Sequence, residues 1–377
     1  MNTRILVVTM GVLGAVGSAF AQIPDLLNTL DAGARSMGAG GAFGVTSTDT
    51  TSILNNPAGL GFLTTRTFGI SMRKLPKSVT NMTGSLANPT FASTGIAGKN
   101  SISSLGYVIP LKNGGSFGFS YQVGGYLDDF RSGTNITIGA FTGATYQEQI
   151  RAKTDFYTLA LGHANAEGNK SFGWGLTFAN LNLTDRQNGF VPGQPPTQLI
   201  NSDNSASTWG VGLVAGFQTI PSNHPNTTYG GSIRTPVKLG SNSFSTPLYS
   251  VIPGQVTLGM ASRKDNLRGK NDFLVTGLQG SYFFGGSGSG IFDRSNQFMF
   301  GTGAEYNFAQ DDFTIPIRIG FSHTSSGGAQ FGDRNAFTFG FGYHPTNQPW
   351  NLDVNYGFPR GGGRDFAVLL NYRFNNK

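Results

Sequence analysis

Residues 209–217 run Trp209-Gly210-Val211-Gly212-Leu213-Val214-Ala215-Gly216-Phe217. Alternate positions separate Trp209, Val211, Leu213, Ala215 and Phe217 from Gly210, Gly212, Val214 and Gly216, so one face is large and apolar and the other nearly bare. A repeat of two is that of a strand, whose successive side chains point to opposite faces; a helix would mix the two sets. Phe172, Trp174, Leu176 and Phe178 against Gly173, Gly175, Thr177 and Ala179 repeat the design, as do Phe337, Phe339, Phe341 and Tyr343 against Thr338, Gly340 and Gly342. A soluble β-sandwich also alternates, but it buries its apolar face and sets charge on the other. Here the second face carries Gly, Ser, Thr and Asn, so the apolar face is expected to meet lipid.

Composition supports this. Only 12% of the 377 residues are charged, about half the share of a soluble chain, and 56 are glycine. Helix bundles need Ala, Glu, Lys and Leu instead. The absence of cysteine excludes disulfides, thiolate metal sites, cysteine nucleophiles and a lipid anchor on an N-terminal cysteine. A net charge of +7 without any Lys/Arg run gives no footprint for nucleic acid.

Working outward, alternation predicts fourteen strands, near 64–73, 101–111, 115–125, 153–165, 171–183, 207–218, 227–238, 251–262, 272–284, 297–308, 313–322, 335–343, 350–358 and 365–374. Most have the roughly 9–12 residues that a tilted transmembrane strand needs. Short links such as Lys112-Asn113-Gly114 alternate with longer ones rich in Gly, Ser, Thr and Asn, at 74–100, 126–152, 184–206, 239–250, 285–296 and 323–334; the last, 360–364, is short. The expected fold is all-β: a transmembrane antiparallel β-barrel of about 14 strands over 64–374, closed so that every backbone group is paired in lipid. Phe366, Val368, Leu370, Tyr372 and Phe374 alternate to a terminal aromatic before the 375–377 tail, resembling a final strand read by the barrel assembly machinery.

At the other end, Arg4, an apolar run over 5–16 and Ala19-Phe20-Ala21 read as a secretory signal peptide over 1–21. The run is shorter than the ~20 residues of a membrane anchor. Residues 22–63 do not alternate. They contain Ala34-Arg35-Ser36-Met37-Gly38, Gly40-Gly41-Ala42-Phe43, Asp49 and Asn56-Pro57-Ala58-Gly59-Leu60, too small and weakly apolar to form a core alone.

This segment closely resembles the N-terminal hatch of the FadL/TodX outer-membrane transporters of long-chain fatty acids and other hydrophobic compounds. Arg35, Gly38, Gly40, Gly41, Phe43, Asp49, Asn56, Pro57, Ala58 and Gly59 carry the likeness; 229–237 and 253–260 resemble strands of the same family less distinctively. The resemblance implies a 14-stranded barrel with the 22–63 hatch in its lumen, a hydrophobic or amphipathic small molecule as ligand, passive uptake and no cofactor. It further implies lateral opening of the wall at a break in the third strand, for which Gly124 and Gly125 are the candidates. The chain is shorter than the fatty-acid transporters, which implies a reduced external loop domain. In the hatch motif alone it also resembles type IX secretion shuttle barrels, so a protein-binding barrel stands as the alternative, and a structural outer-membrane protein behind it.

Strand parity, with Ile233 and Val237 or Ile315, Ile317, Ile319 and Phe321 outward, points Arg234 and Arg318 into the lumen, and Glu305, Asp353 and Arg373 likewise. Either these residues pair among themselves and with Asp31, Arg35 and Asp49, or Arg234 or Arg318 holds the carboxylate of an amphipathic ligand. His163, His224, His323 and His344 share no metal-ligand spacing. No nucleophile elbow, P-loop or H-E-x-x-H occurs, so an enzyme is not expected. The expected setting is the cell outer membrane, as a monomer among outer-membrane lipid and lipopolysaccharide.

Overall fold

The structure, a computed structural model, describes residues 34–112, 114–193, 196–240, 251–267, 271–285, 296–326, 333–359 and 365–374. The signal peptide, residues 22–33 with Asp31, the 375–377 tail, the 360–364 link and most of the links at 239–250, 285–296 and 323–334 lie outside them.

The wall consists of β1 (Thr67–Ser85), β2 (Asn88–Pro110), β3 (Gly115–Ile138), β4 (Phe141–Ala164), β5 (Lys170–Val191), β6 (Thr197–Thr219) and β7 (Thr227–Arg234). A two-stranded ladder of β8 (Val237–Lys238) and β9 (Val251–Ile252) follows. The wall resumes with β10 (Gly254–Asp265), β11 (Phe273–Phe284), β12 (Gln297–Ala309), β13 (Phe313–Thr324), β14 (Arg334–Pro345), β15 (Trp350–Pro359) and β16 (Asp365–Arg373). β1 to β7 and β10 to β16 close into one antiparallel barrel, with β16 against β1 from Thr67–Arg373 to Arg73–Ala367. The apolar rows face outward as expected: Phe172, Trp174, Trp209, Leu213, Ile319 and Phe337 are each at least half exposed.

Three expected loops are strands. Segments 74–100, 126–152 and 184–206 continue the β1–β2, β3–β4 and β5–β6 ladders, so these six strands reach 19–24 residues where β7 and β10 to β16 have 8–13. The reason is an exchange of apolarity between the two rows of one strand. In β5 the outward row passes from Phe172–Phe178 to Asn182, Thr184, Arg186 and Asn188, while the inward row passes from Gly173 and Gly175 to buried Leu181 and Leu183. Lipid bathes the first part and water the second, so the strand keeps its period and reverses its sense. The tall wall curls on its own contents: Met82, Leu86, Ile136, Ile138 and Tyr146 pack near its tip. Beneath them Arg131 pairs with Asp129 at 2.8 Å and Glu148 at 3.0 Å.

A second correction concerns Val237. The strand expected over 227–238 leaves the barrel after Arg234, because Pro236 lacks the N–H needed to extend the ladder. Val237 is therefore not on the lipid face; with Leu239 and Ile252 it enters a lumenal apolar cluster containing Phe156, Leu181, Leu183 and Leu54.

Candidate functional site

Residues 34–62, before β1, lie inside the barrel. This segment forms α1 (Ala34–Gly38), a turn, α2 (Ser52–Asn55) and a 3₁₀ helix (Pro57–Phe62). It touches β13 to β16 on one side and β3 to β6 on the other. The bare inner rows of the wall make room for it. A Cβ built on Gly301, Gly303 or Gly320 would fall 2.1–2.3 Å from the backbone of Ala39 or Gly40. Gly40 and Gly41 turn this backbone at φ +66° and +84°, where glycine is favoured.

Charge fixes one end. Arg35 donates from Nε and Nη2 to the Glu305 carboxylate at 2.9 and 3.0 Å. Glu305 also accepts from Arg318 Nε at 2.6 Å, and Arg318 Nη1 donates to Asp353 at 2.7 Å, with His344 Nε2 3.0 Å from the same oxygen. Burial works against the Arg35 charge, but the adjacent Glu305 carboxylate holds its pKa above the ordinary value. Arg318 is wholly buried and committed to two wall carboxylates. Its partners are thus the first of the two alternatives left open by parity.

The remaining motif residues are local fasteners. Phe43 packs on Val275 and over Gly277. Asp49 makes no wall ion pair among the described residues; its Oδ1 accepts from the Thr51 N–H at 2.8 Å and hydroxyl at 2.5 Å. Asn56 Oδ1 accepts from Ala58 N–H at 3.2 Å, and its amide donates to the Val45 carbonyl at 2.7 Å and the Phe217 carbonyl at 3.0 Å. Pro57 and Ala58 lie against Gly173, Ser171 Oγ donates to the Ala58 carbonyl at 2.6 Å, and Gly59 sits under Ser47. Gly38 abuts Asn355.

Arg234 differs from Arg318. It is 4% exposed, and among the described residues its Nε and Nη2 have no hydrogen-bond partner. Its guanidinium lies over the Phe156 ring at 5.1 Å. Beside it, at the tall-wall end of the lumen, is a cavity of about 50 Å³ shared with Leu54, Val214, Gln255, Phe283 and Met299. Among the described residues, no carboxylate lines it. A second cavity of about 540 Å³ opens at the short-turn end, lined by Arg35, Asp49, Thr46, Gln218, His344 and Arg373 among others. Arg373 is exposed at that rim rather than enclosed by the lumen.

Gly124 falls at a bulge, where the β3–β4 register shifts between Val123 and Gly125. Its face is filled by Phe156, whose Cε2 would lie 2.0 Å from a built Cβ. The β2–β3 ladder ends at Ser104–Gln122, and β1 pairs with β3 only from Ser78–Asp129. Residues 123–128 therefore have no ladder partner on that edge among the described residues.

Sequence reasoning missed Phe156, Gln218 and Gln279. Phe156 is the one aromatic on an inward row of Ala152, Thr154, Thr158 and Ala160, which is a readable signal. The glutamines give none beyond inward parity.

No known family profile and no curated protein matches the chain. Solved structures do. A Pseudomonas aeruginosa FadL homologue superposes with a TM-score of 0.61 at 18% identity, covering 92% of this chain and 98% of its own. The Pseudomonas putida toluene transporter TodX gives 0.58 at 15% identity, over 94% and 100%. A deletion mutant of the TodX monoaromatic hydrocarbon channel gives 0.62 at 13%, over 91% and 99%. The fold is that of the FadL/TodX-type barrels.

Proposed function

We propose that the protein is an outer-membrane channel for passive uptake of hydrophobic or amphipathic small molecules, with the tall wall outside the cell and the short turns in the periplasm. The likeness to channels for hydrophobic compounds supports the class. Arg234 supports the ligand: a buried guanidinium beside an aromatic ring and an apolar cluster is costly unless a partner arrives, and its planar fork suits a carboxylate. A long-chain fatty acid supplies both the carboxylate and the tail. The 22–63 hatch closes the lumen, and ligand descends from the Arg234 cavity past it.

Uptake by proteoliposomes of a fatty acid and of a neutral hydrocarbon tests this. Arg234→Ala is expected to slow the first and spare the second, with the barrel still heat-modifiable on gels. Equal effects on both, or on neither, remove Arg234 from ligand binding. A wild type no faster than empty vesicles removes the channel reading and favours a protein-binding barrel.

A further inference from the structure

The inward rows of the tall wall carry two apolar clusters with charge between them. On β4, Ala144 and Tyr146 belong to the cluster at the tip and Ala152 and Phe156 to the lumenal one, with Glu148 between; on β5, Leu181 and Leu183 give way to Asp185 and Gln187. Asp129, Arg131, Glu148 and Asp185 are each at most 4% exposed. Arg131 donates from Nε to Asp129 at 2.8 Å and from Nη1 to Glu148 at 3.0 Å. Gln187 Nε2 donates to Asp185 at 3.0 Å and to Glu148 at 3.3 Å. Three buried carboxylates thus surround one guanidinium. The other cations on these strands are engaged elsewhere: Lys77 lies over the Phe130 ring, Arg73 pairs with Asp365, Arg151 with Asp128 and Arg186 with Asp203, while Lys74 and Lys99 stand at the foot of the β1–β2 extension.

That extension closes over the cluster. Ser78–Asn81 of β1 pair in parallel with Asp129–Ser132 of β3, the Arg131 guanidinium lies over the Phe91 ring of β2 at 5.4 Å, and Met82 and Leu86 pack beside Tyr146. The strand that holds the charge therefore also holds the hairpin.

We propose that Glu148 is a proton switch for the tip of the tall wall: protonated, it leaves Arg131 to Asp129 and the hairpin stays folded down; ionised, it adds a second uncompensated charge to a buried site and the hairpin loosens. Burial pushes the Glu148 carboxyl up to about 7 against the pull of Arg131, and Asp185 and Asp129 add to the rise. Burial raises the Asp185 carboxyl as well. Between the ordinary glutamate range and about 7 the folded tip binds one proton more than the loosened one. The folded tip is thus favoured in acid and loses that advantage as pH rises through this window.

Hydrogen exchange of the amides of 78–93 in the full-length barrel tests this, and it reads the hairpin rather than uptake. Corrected for the intrinsic rate, exchange is expected to be about tenfold or more faster near pH 8.5 than near pH 5.5. Amides of β10 to β12 should not respond. Glu148→Gln, neutral at both, should stay protected at both. A wild-type hairpin equally protected at the two values overturns the switch, and so does a Glu148→Gln barrel that keeps the full response. Should that variant fail to assemble, Asp185→Asn decides: removing the neighbouring charge should move the midpoint of the response to lower pH. An unmoved midpoint overturns the assignment to Glu148.

Discussion

Arg35 of the lumenal segment and Glu305 of the wall, 270 residues apart, meet through two nitrogen–oxygen contacts of 2.9 and 3.0 Å. The same carboxylate is claimed by Arg318, so Glu305 holds two guanidinium groups, one from each body. Removing it strands Arg35 and leaves Arg318 with Asp353 alone. Glu305→Gln is expected to cost about 3–5 kcal/mol, the usual penalty for breaking a buried ion network by one partner. Arg35→Ala leaves the Glu305–Arg318 pair intact and should cost less. The temperature at which the folded gel band disappears checks the order: a larger fall for Arg35→Ala than for Glu305→Gln contradicts it.

The exchange of rows along β5 predicts where a charge is tolerated. Leu176 and Thr184 share the outward row, the first in the aromatic band and the second above it. Leu176→Arg should destabilise the barrel by about 2–4 kcal/mol, and Thr184→Arg, next to native Arg186, by roughly 0–1 kcal/mol. Denaturant titration in lipid vesicles measures both. Equal costs would place residues 182–188 in the bilayer.

The strand number, the outward rows and the lumenal parity of Arg234, Arg318, Glu305 and Asp353 were legible because lipid imposes one rule on each strand. That rule ends where lipid ends. Residues 74–100, 126–152 and 184–206 looked like loops because their outward positions are polar, as at Arg186 and Asn188, while apolar Met82, Ile136 and Tyr146 are buried. Val237 was misread because parity was extended through Pro236. Which arginine was already paired was not legible at all, since Glu305, Asp353 and Arg35 come together only through barrel closure.

Gly40 combines φ +66° with a wall backbone so close that a Cβ would lie 2.5 Å from Phe321 N and O. Gly40→Val is therefore expected to lift the Ala39–Gly41 turn from β12 and β13 without touching the lipid face. Bilayer recordings should show larger, noisier openings, with a loss of stability of about 1–3 kcal/mol. Quiet wild-type conductance from a correctly assembled variant would mean that this turn does not seal the lumen.

Gly124 and Arg234 are joined through Phe156, which fills the space a Cβ at Gly124 would need and carries the guanidinium on its ring. Gly124→Ala should push the ring toward Arg234 and disturb the upper cavity from outside it. Fatty-acid uptake is then expected to fall about tenfold, the effect of roughly 1.4 kcal/mol. Phe156→Ala alone removes the ring, empties part of the apolar cluster and should slow uptake for a different reason. The pair of changes separates the mechanisms. If Gly124 acts by leaving room for Phe156, the added methyl costs nothing once the ring is gone, and Gly124→Ala/Phe156→Ala matches Phe156→Ala. If Gly124 instead permits a bend of β3 that opens the wall, the two losses add and the double variant is slowest. Uptake rates of the four proteins, each at equal density of folded barrel, distinguish a filled cavity from an opening in the wall.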